Sequence, residues 1–289
     1  MKLEKILLPV DFSERSAGAA HIAATLAKRF GSTIDVLHVC AAPDYYLAAP
    51  EYTGSLSSEW NAAQKQESEK KIRQLIDAEL SGLQTKAVTL EGSAAEEIIE
   101  YAKRESCSVI VMPTHGYGRF RRFILGSVAA KVLHDAECPV LTGIHMEEVP
   151  SNVRLDIRKI LCAIDLKAHS GTVLAAADIV AREFKATMKL VHVLPIVDSP
   201  ETVYFDQDWK TAITKQANKE VEELQQACGT SHEVLMKPGE AAKAIDQVAR
   251  EEKADLLVIG RSEGQSVIGR LRTQAYAIIR DSPCPVLSV

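Results

Sequence analysis

The chain repeats itself, and that duplication limits what it can fold into more than any other feature. KILLPVD (Lys5–Asp11) returns as KILCAID (Lys159–Asp165), VLHV (Val36–Val39) as LVHV (Leu190–Val193), and ECPVL (Glu137–Leu141) as PCPVL (Pro283–Leu287). Two copies of one fold are expected, residues 1–146 and 153–289, joined near MEEVPSNV (Met146–Val153). A chain of 289 residues gives each copy enough length for its own core.

Within each copy, short apolar runs alternate with longer amphipathic stretches. This pattern predicts an α/β fold: two repeats of an open five-stranded parallel sheet with helices on both faces. In the first copy, strands are expected near residues 4–10, 33–39, 86–90, 108–113 and 139–144, with helices near 14–30, 57–81, 94–105 and 126–136. Parallel strands joined by crossovers gather their carboxyl ends on one edge, and ligands of such sheets bind in the crevice outside that edge.

Two features of the first copy fall on that edge. Asp11 ends the first strand; in DFSERS it either caps the next helix or faces a ligand. After the fourth strand comes PTHGYGRFRRFILGS (Pro113–Ser127), in which Gly116 and Gly118 supply backbone freedom and Gly126-Ser127 precede the helix-like run VAAKVLHDA. Ser127 is the expected N-cap. A helix start presents unpaired N–H groups and roughly half a positive charge, which suits a phosphate, and Gly126 lets it come close to the backbone. His115 is either a pocket residue or a turn residue. Arg119, Arg121 and Arg122 form either a solvated face or a contact to a polyphosphate. Long connections at Ala41–Trp60 and Leu194–Trp209 serve either as lids or as covers for the neighbouring copy.

Composition excludes several classes. Hydrophobic residues at 46% and charged ones at 25% describe a soluble globular protein, and a net charge of -5 gives no reason to expect nucleic acid or an anionic membrane as partner. MKLEKILLPVD has too short an apolar run for a signal peptide, so a cytoplasmic protein is expected. Cys40, Cys107, Cys138, Cys162, Cys228 and Cys284 are scattered without a CxxC pair, which reads as packing rather than metal or redox chemistry. No Walker-type lysine or suitably spaced acid pair marks a phosphotransferase, so no catalytic residue and at most a slow ATPase is expected.

The PVDFSE start, the LHV strand end, the THG…GS loop and the CPVL finish resemble the universal stress protein family in tandem form over nearly the whole chain. The family's nucleotide signature is Gly, two residues, Gly, nine residues, Gly, then Ser or Thr. Gly116, Gly126 and Ser127 match it, while Pro113 replaces the first glycine and removes that amide. The resemblance implies an ATP-binding stress-response regulator, with or without Mg, and the alternative is a nucleotide-free scaffold for a protein partner. It further implies that Asp11 meets the adenine or ribose side, that the Val39 backbone meets the adenine ring, that Pro9 and Val10 flank the base, and that Met112, His115 and Val128 line the pocket. In the family, fifth strands pair across a two-fold axis. The resemblance thus implies that Pro139–Thr142 and Pro285–Ser288 pair within the chain, and it leaves room for a homodimer.

The second copy departs from the signature. Aligned on the CPVL end, Gly260 takes the first glycine position, Glu263 the second and Arg272 the third, with Thr273 keeping the hydroxyl; Gly264 is the alternative to Glu263. A carboxylate about 4 Å from a phosphate costs roughly 4 kcal/mol at an effective dielectric near 20. The second copy is therefore expected not to bind nucleotide in the family manner, although Asp165 and Val193 remain.

Overall fold

The computed structural model describes residues 3–40, 55–114, 125–143, 156–194, 207–261 and 270–289, without the side chains of residues 55–62, 207–208 and 270–273. The chain divides into two compact units, essentially Lys2–Thr142 and Asp156–Val289.

In the first unit the order is β1 (Lys5–Pro9), α1 (Glu14–Phe30), β2 (Thr33–Cys40), α2 (Ser55–Glu79), β3 (Thr85–Glu91), α3 (Ala94–Arg104), β4 (Val109–Val111), α4 (Ser127–Asp135) and β5 (Val140–Thr142). The sheet runs β3-β2-β1-β4-β5, and each neighbouring pair is parallel. β1 lies in the middle and is covered on both faces. This is why Ile6, Leu7 and Leu8 form an unbroken apolar run, all at 0% exposure, instead of alternating.

α1 turns a face of small residues to the interior, with Ala19, Ala20, Ala23 and Ala27 buried, and these let its axis come close to the sheet. Ser13 caps its start by accepting from the Ser16 amide. Gly31 stops it in the left-handed region at φ 70°, where a side chain is strained, and returns its N–H to the Ala27 carbonyl.

The second unit repeats the plan with β6 (Lys159–Ala163), α5 (Ser170–Phe184), β7 (Thr187–Leu194), α6 (Gln207–Cys228), β8 (Glu233–Pro238), α7 (Ala241–Glu252), β9 (Leu256–Ile259), α8 (Arg270–Asp281) and β10 (Val286–Ser288). Its parallel sheet runs β8-β7-β6-β9-β10. The α/β class and the two repeats of a five-stranded sheet are thus as expected.

Observed element ends lie within a few residues of the expected ones. β4 and β5 differ most, each spanning three residues where 108–113 and 139–144 are expected. The pairing of β4 to β5 carries the Met112 amide on the Leu141 carbonyl at 3.1 Å, and Pro113, next in line, has no N–H to offer β1 on the other side. In both units the chain leaves the central strand toward one neighbour and later returns on its other side, which places a topological switch point at β1/β4 and at β6/β9.

Candidate functional site

A cavity of about 430 Å³ opens at the carboxyl ends of β1, β2 and β4, at the first switch point. Pro9, Val10, Asp11, Val39, Met112, Gly126, Ser127 and Val128 line it together. His115 and Gly116, with Gly118, Arg119, Arg121 and Arg122, lie outside the described residues. Ser16, His38, Pro113 and Thr114 also line the cavity and were not among the expected site residues.

The inner wall is the end of the β1–β2 ladder. The Val10 amide donates to the Leu37 carbonyl at 2.8 Å, and Gly92 donates to the Cys40 carbonyl on the β3 side at 3.1 Å. Residues of a parallel strand alternate the side to which their N–H and C=O point, so Val39 aims both groups toward β1. β1 has ended there, and the pairing register stops at Pro9 against Leu37. The chain turns away at Phe12, whose φ of 63° is a left-handed conformation that a bulky residue rarely adopts. His38 donates from Nδ1 to the Val10 carbonyl at 2.8 Å, and its ring lies 4.4 Å from the Phe12 ring.

Asp11 does not cap α1, since Ser13 holds that position. It braces the cap instead. Asp11 Oδ1 accepts from Ser13 N at 3.0 Å, Ser13 Oγ at 2.6 Å and Ser16 Oγ at 2.6 Å, and Ser16 Oγ in turn accepts from the Asp11 amide at 3.0 Å. The other carboxylate oxygen, Oδ2, has no hydrogen bond to the described residues.

At the far side, Gly126 donates its N–H to the Thr114 carbonyl at 2.9 Å, closing the base of the connection between β4 and α4. The expectation for Ser127 is corrected here: the N-cap is Gly126, and Ser127 is the first helical residue. Pinning Gly126 to Thr114 sets the cap one residue earlier, where no side chain is available to cap the helix. The first intrahelical bond runs from Ala130 N to Gly126 O at 2.8 Å, so the amides of Ser127, Val128 and Ala129 precede it and have no hydrogen-bond partner among the described residues. Gly126 has φ -63°, open to any residue, so what distinguishes it is the missing side chain.

The second unit has a wider cavity of about 820 Å³, lined by Asp165, Lys167, His192, Val193, Gly260 and Arg261 among others. Its inner wall repeats the first: Ile164 N donates to Val191 O at 3.0 Å, His192 Nδ1 donates to Ile164 O at 2.9 Å, and Leu166 turns the chain at φ 59°. The acid differs. Asp165 Oδ1 accepts from Lys167 N at 3.0 Å and Ser170 Oγ at 3.1 Å, while Oδ2 faces Lys167 Nζ at 3.4 Å. Gly260 serves packing, since a Cβ there would sit 3.1 Å from Val173 Cγ2.

Glu263 and Gly264 lie outside the described residues, as do the side chains of Arg272 and Thr273. Arg272, aligned with Gly126 on the CPVL end, lies in the first turn of α8, which starts at Arg270, and not at a cap.

A sequence model of the universal stress protein family matches residues 2–142 and 156–289. A universal stress protein of Methanocaldococcus jannaschii is 36% identical over 138 residues, covering 48% of this chain and 80% of that protein. One from Thermus aquaticus is 33% identical over 136 residues, covering 47% of this chain and 95% of the relative. Each of these matches has about the length of one unit. A crystal structure of a universal stress protein from Archaeoglobus fulgidus aligns over 99% of this chain and 96% of its own at 25% identity, with a TM-score of 0.65. The chain belongs to the universal stress protein family, in its tandem two-domain form.

Proposed function

We propose that the first unit holds ATP and that the chain is a cytoplasmic stress-response regulator, with the second unit as a nucleotide-free structural partner. The observation that carries this is the convergence on one cavity of three hydrogen-bonding sets without partners among the described residues: the main chain of Val39 on its β1 side, Asp11 Oδ2, and the first amides of α4. Val39 offers a donor and an acceptor side by side, the complement of adenine N1 and N6. A guanine presents that pair exchanged and fits only when turned over, which carries its ribose away from Asp11. The free carboxylate oxygen suits a ribose hydroxyl, and the α4 amides with the helix dipole suit phosphates. Mg²⁺ would enter with the triphosphate. At about 430 Å³ the cavity falls within the range of small-ligand sites.

Pro113 favours a second reading, a scaffold for a protein partner, because the lost amide weakens any phosphate grip. Native mass spectrometry and calorimetric titration with ATP and GTP separate the two. Bound or titratable ATP, with GTP weaker by at least about tenfold, supports the regulator. A chain that neither carries nor takes up adenine nucleotide supports the scaffold.

A further inference from the structure

We propose that His38 is a positioning residue that holds the base-reading edge of the cavity open by ending the β1–β2 ladder at Val10. Its ligand rests on the nucleotide reading above; its geometry does not. Were the ladder to continue, the next rungs would run from Val39 N–H to the Val10 carbonyl and from Phe12 N–H to the Val39 carbonyl. Neither forms. The Val10 carbonyl is taken by His38 Nδ1 at 2.8 Å, and the left-handed turn at Phe12 carries the chain off the strand line. The imidazole thus stands in for the missing rung. The carbonyl is satisfied without the Val39 amide, and Val39 keeps both main-chain groups for a ligand.

The second unit supports this independently. His192 takes the Ile164 carbonyl at 2.9 Å beside the left-handed Leu166, so Val193 is left in the same state. Around this device the two copies have diverged, with Lys167 replacing Ser13 and Leu194 replacing Cys40. The histidine and its hydrogen bond are unchanged.

The test is residue-resolved amide hydrogen exchange on the full chain, combined with ATP titration, for wild type, His38→Phe and His38→Asn. Asn can place its amide nitrogen where Nδ1 sits; Phe keeps a ring and no donor. In the wild type the Val39 amide is expected to exchange at least about 100-fold faster than that of Leu37, which lies within the ladder. In His38→Phe it slows at least about tenfold as the rung closes, and ATP affinity falls at least about tenfold with the loss of two hydrogen bonds to the base. His38→Asn restores both. A wild-type Val39 amide as protected as that of Leu37 overturns the proposal, and it does so even where the Phe variant does not fold. In a chain that binds ATP, either readout moving alone, or neither moving, also overturns it. If the wild type binds no ATP, the nucleotide reading fails while the exchange data still decide the role of His38.

Discussion

Gly126 donates its amide to the carbonyl of Thr114 at 2.9 Å, and this one bond determines where α4 begins and which of its amides face the cavity. Placing a side chain at that cap has opposite effects on fold and ligand. Gly126→Ser supplies a hydroxyl for the uncapped amides and is expected to raise stability by about 0.3 kcal/mol. The same hydroxyl competes with phosphate, and ATP affinity is expected to fall about tenfold. Thermal melts paired with titration check both, and a variant that binds ATP more tightly contradicts the placement of the phosphates.

Asp11 separates architecture from binding in a different way. Asp11→Ala removes the acceptor for Ser13 N, Ser13 Oγ and Ser16 Oγ and is expected to cost about 1–3 kcal/mol in urea denaturation. Asp11→Asn keeps an acceptor oxygen for that cap and is expected to stay within about 1 kcal/mol of wild type. It loses the carboxylate charge at the proposed ribose position, and with it is expected to lose at least about tenfold in ATP affinity. Equal stability for the two variants contradicts the bracing role.

Most of this architecture is legible from residues alone, and the reason is topological. Once KILLPVD and KILCAID are read as the central strands of two copies, parallel connections bring Asp11, Val39 and Gly126-Ser127 to one edge without knowledge of any side-chain contact. What is not legible depends on contacts between distant segments. The bond from His38 to Val10 crosses 28 positions, and the only trace it leaves is the histidine retained in both VLHV and LVHV. Propensity favours Ser over Gly as a cap, so the cap at Gly126 follows only from the Thr114 bond. The same holds for α8, whose start at Arg270 no alignment on CPVL reveals.

Alkaline pH is expected to weaken the fold. Burial pushes the thiols of Cys107 and Cys162 up to about 12 and that of Cys284 up to about 11. Burial and then the hydrogen bond to Asp35 push the Tyr101 phenol up as well. The folded state thus holds these protons more tightly than the unfolded chain. Their contribution is complete below the ordinary thiol range near pH 8.5 and is lost as pH rises toward the folded values. The urea midpoint at pH 10.5 should lie below that at pH 7, and an unchanged midpoint contradicts the assignment.

In the second unit, Lys167 and Asp165 form a pair in which both side chains are more than half exposed, at 57% and 54%. Such a pair is worth at most about 1 kcal/mol. Lys167→Ser, which restores the residue found at Ser13, is expected to change stability by less than that and to create no nucleotide site, because the departures in the phosphate loop remain. ATP binding gained by this one change would show that the lysine, and not the loop, keeps the second cavity free of nucleotide.

The central claim is that the two units differ in function while sharing a fold, and calorimetric titration of the full chain with ATP tests it most directly. The account predicts one ATP per chain, abolished by Gly126→Asp in a protein that remains folded. Two equivalent sites per chain, or a single site that survives Gly126→Asp, would contradict it.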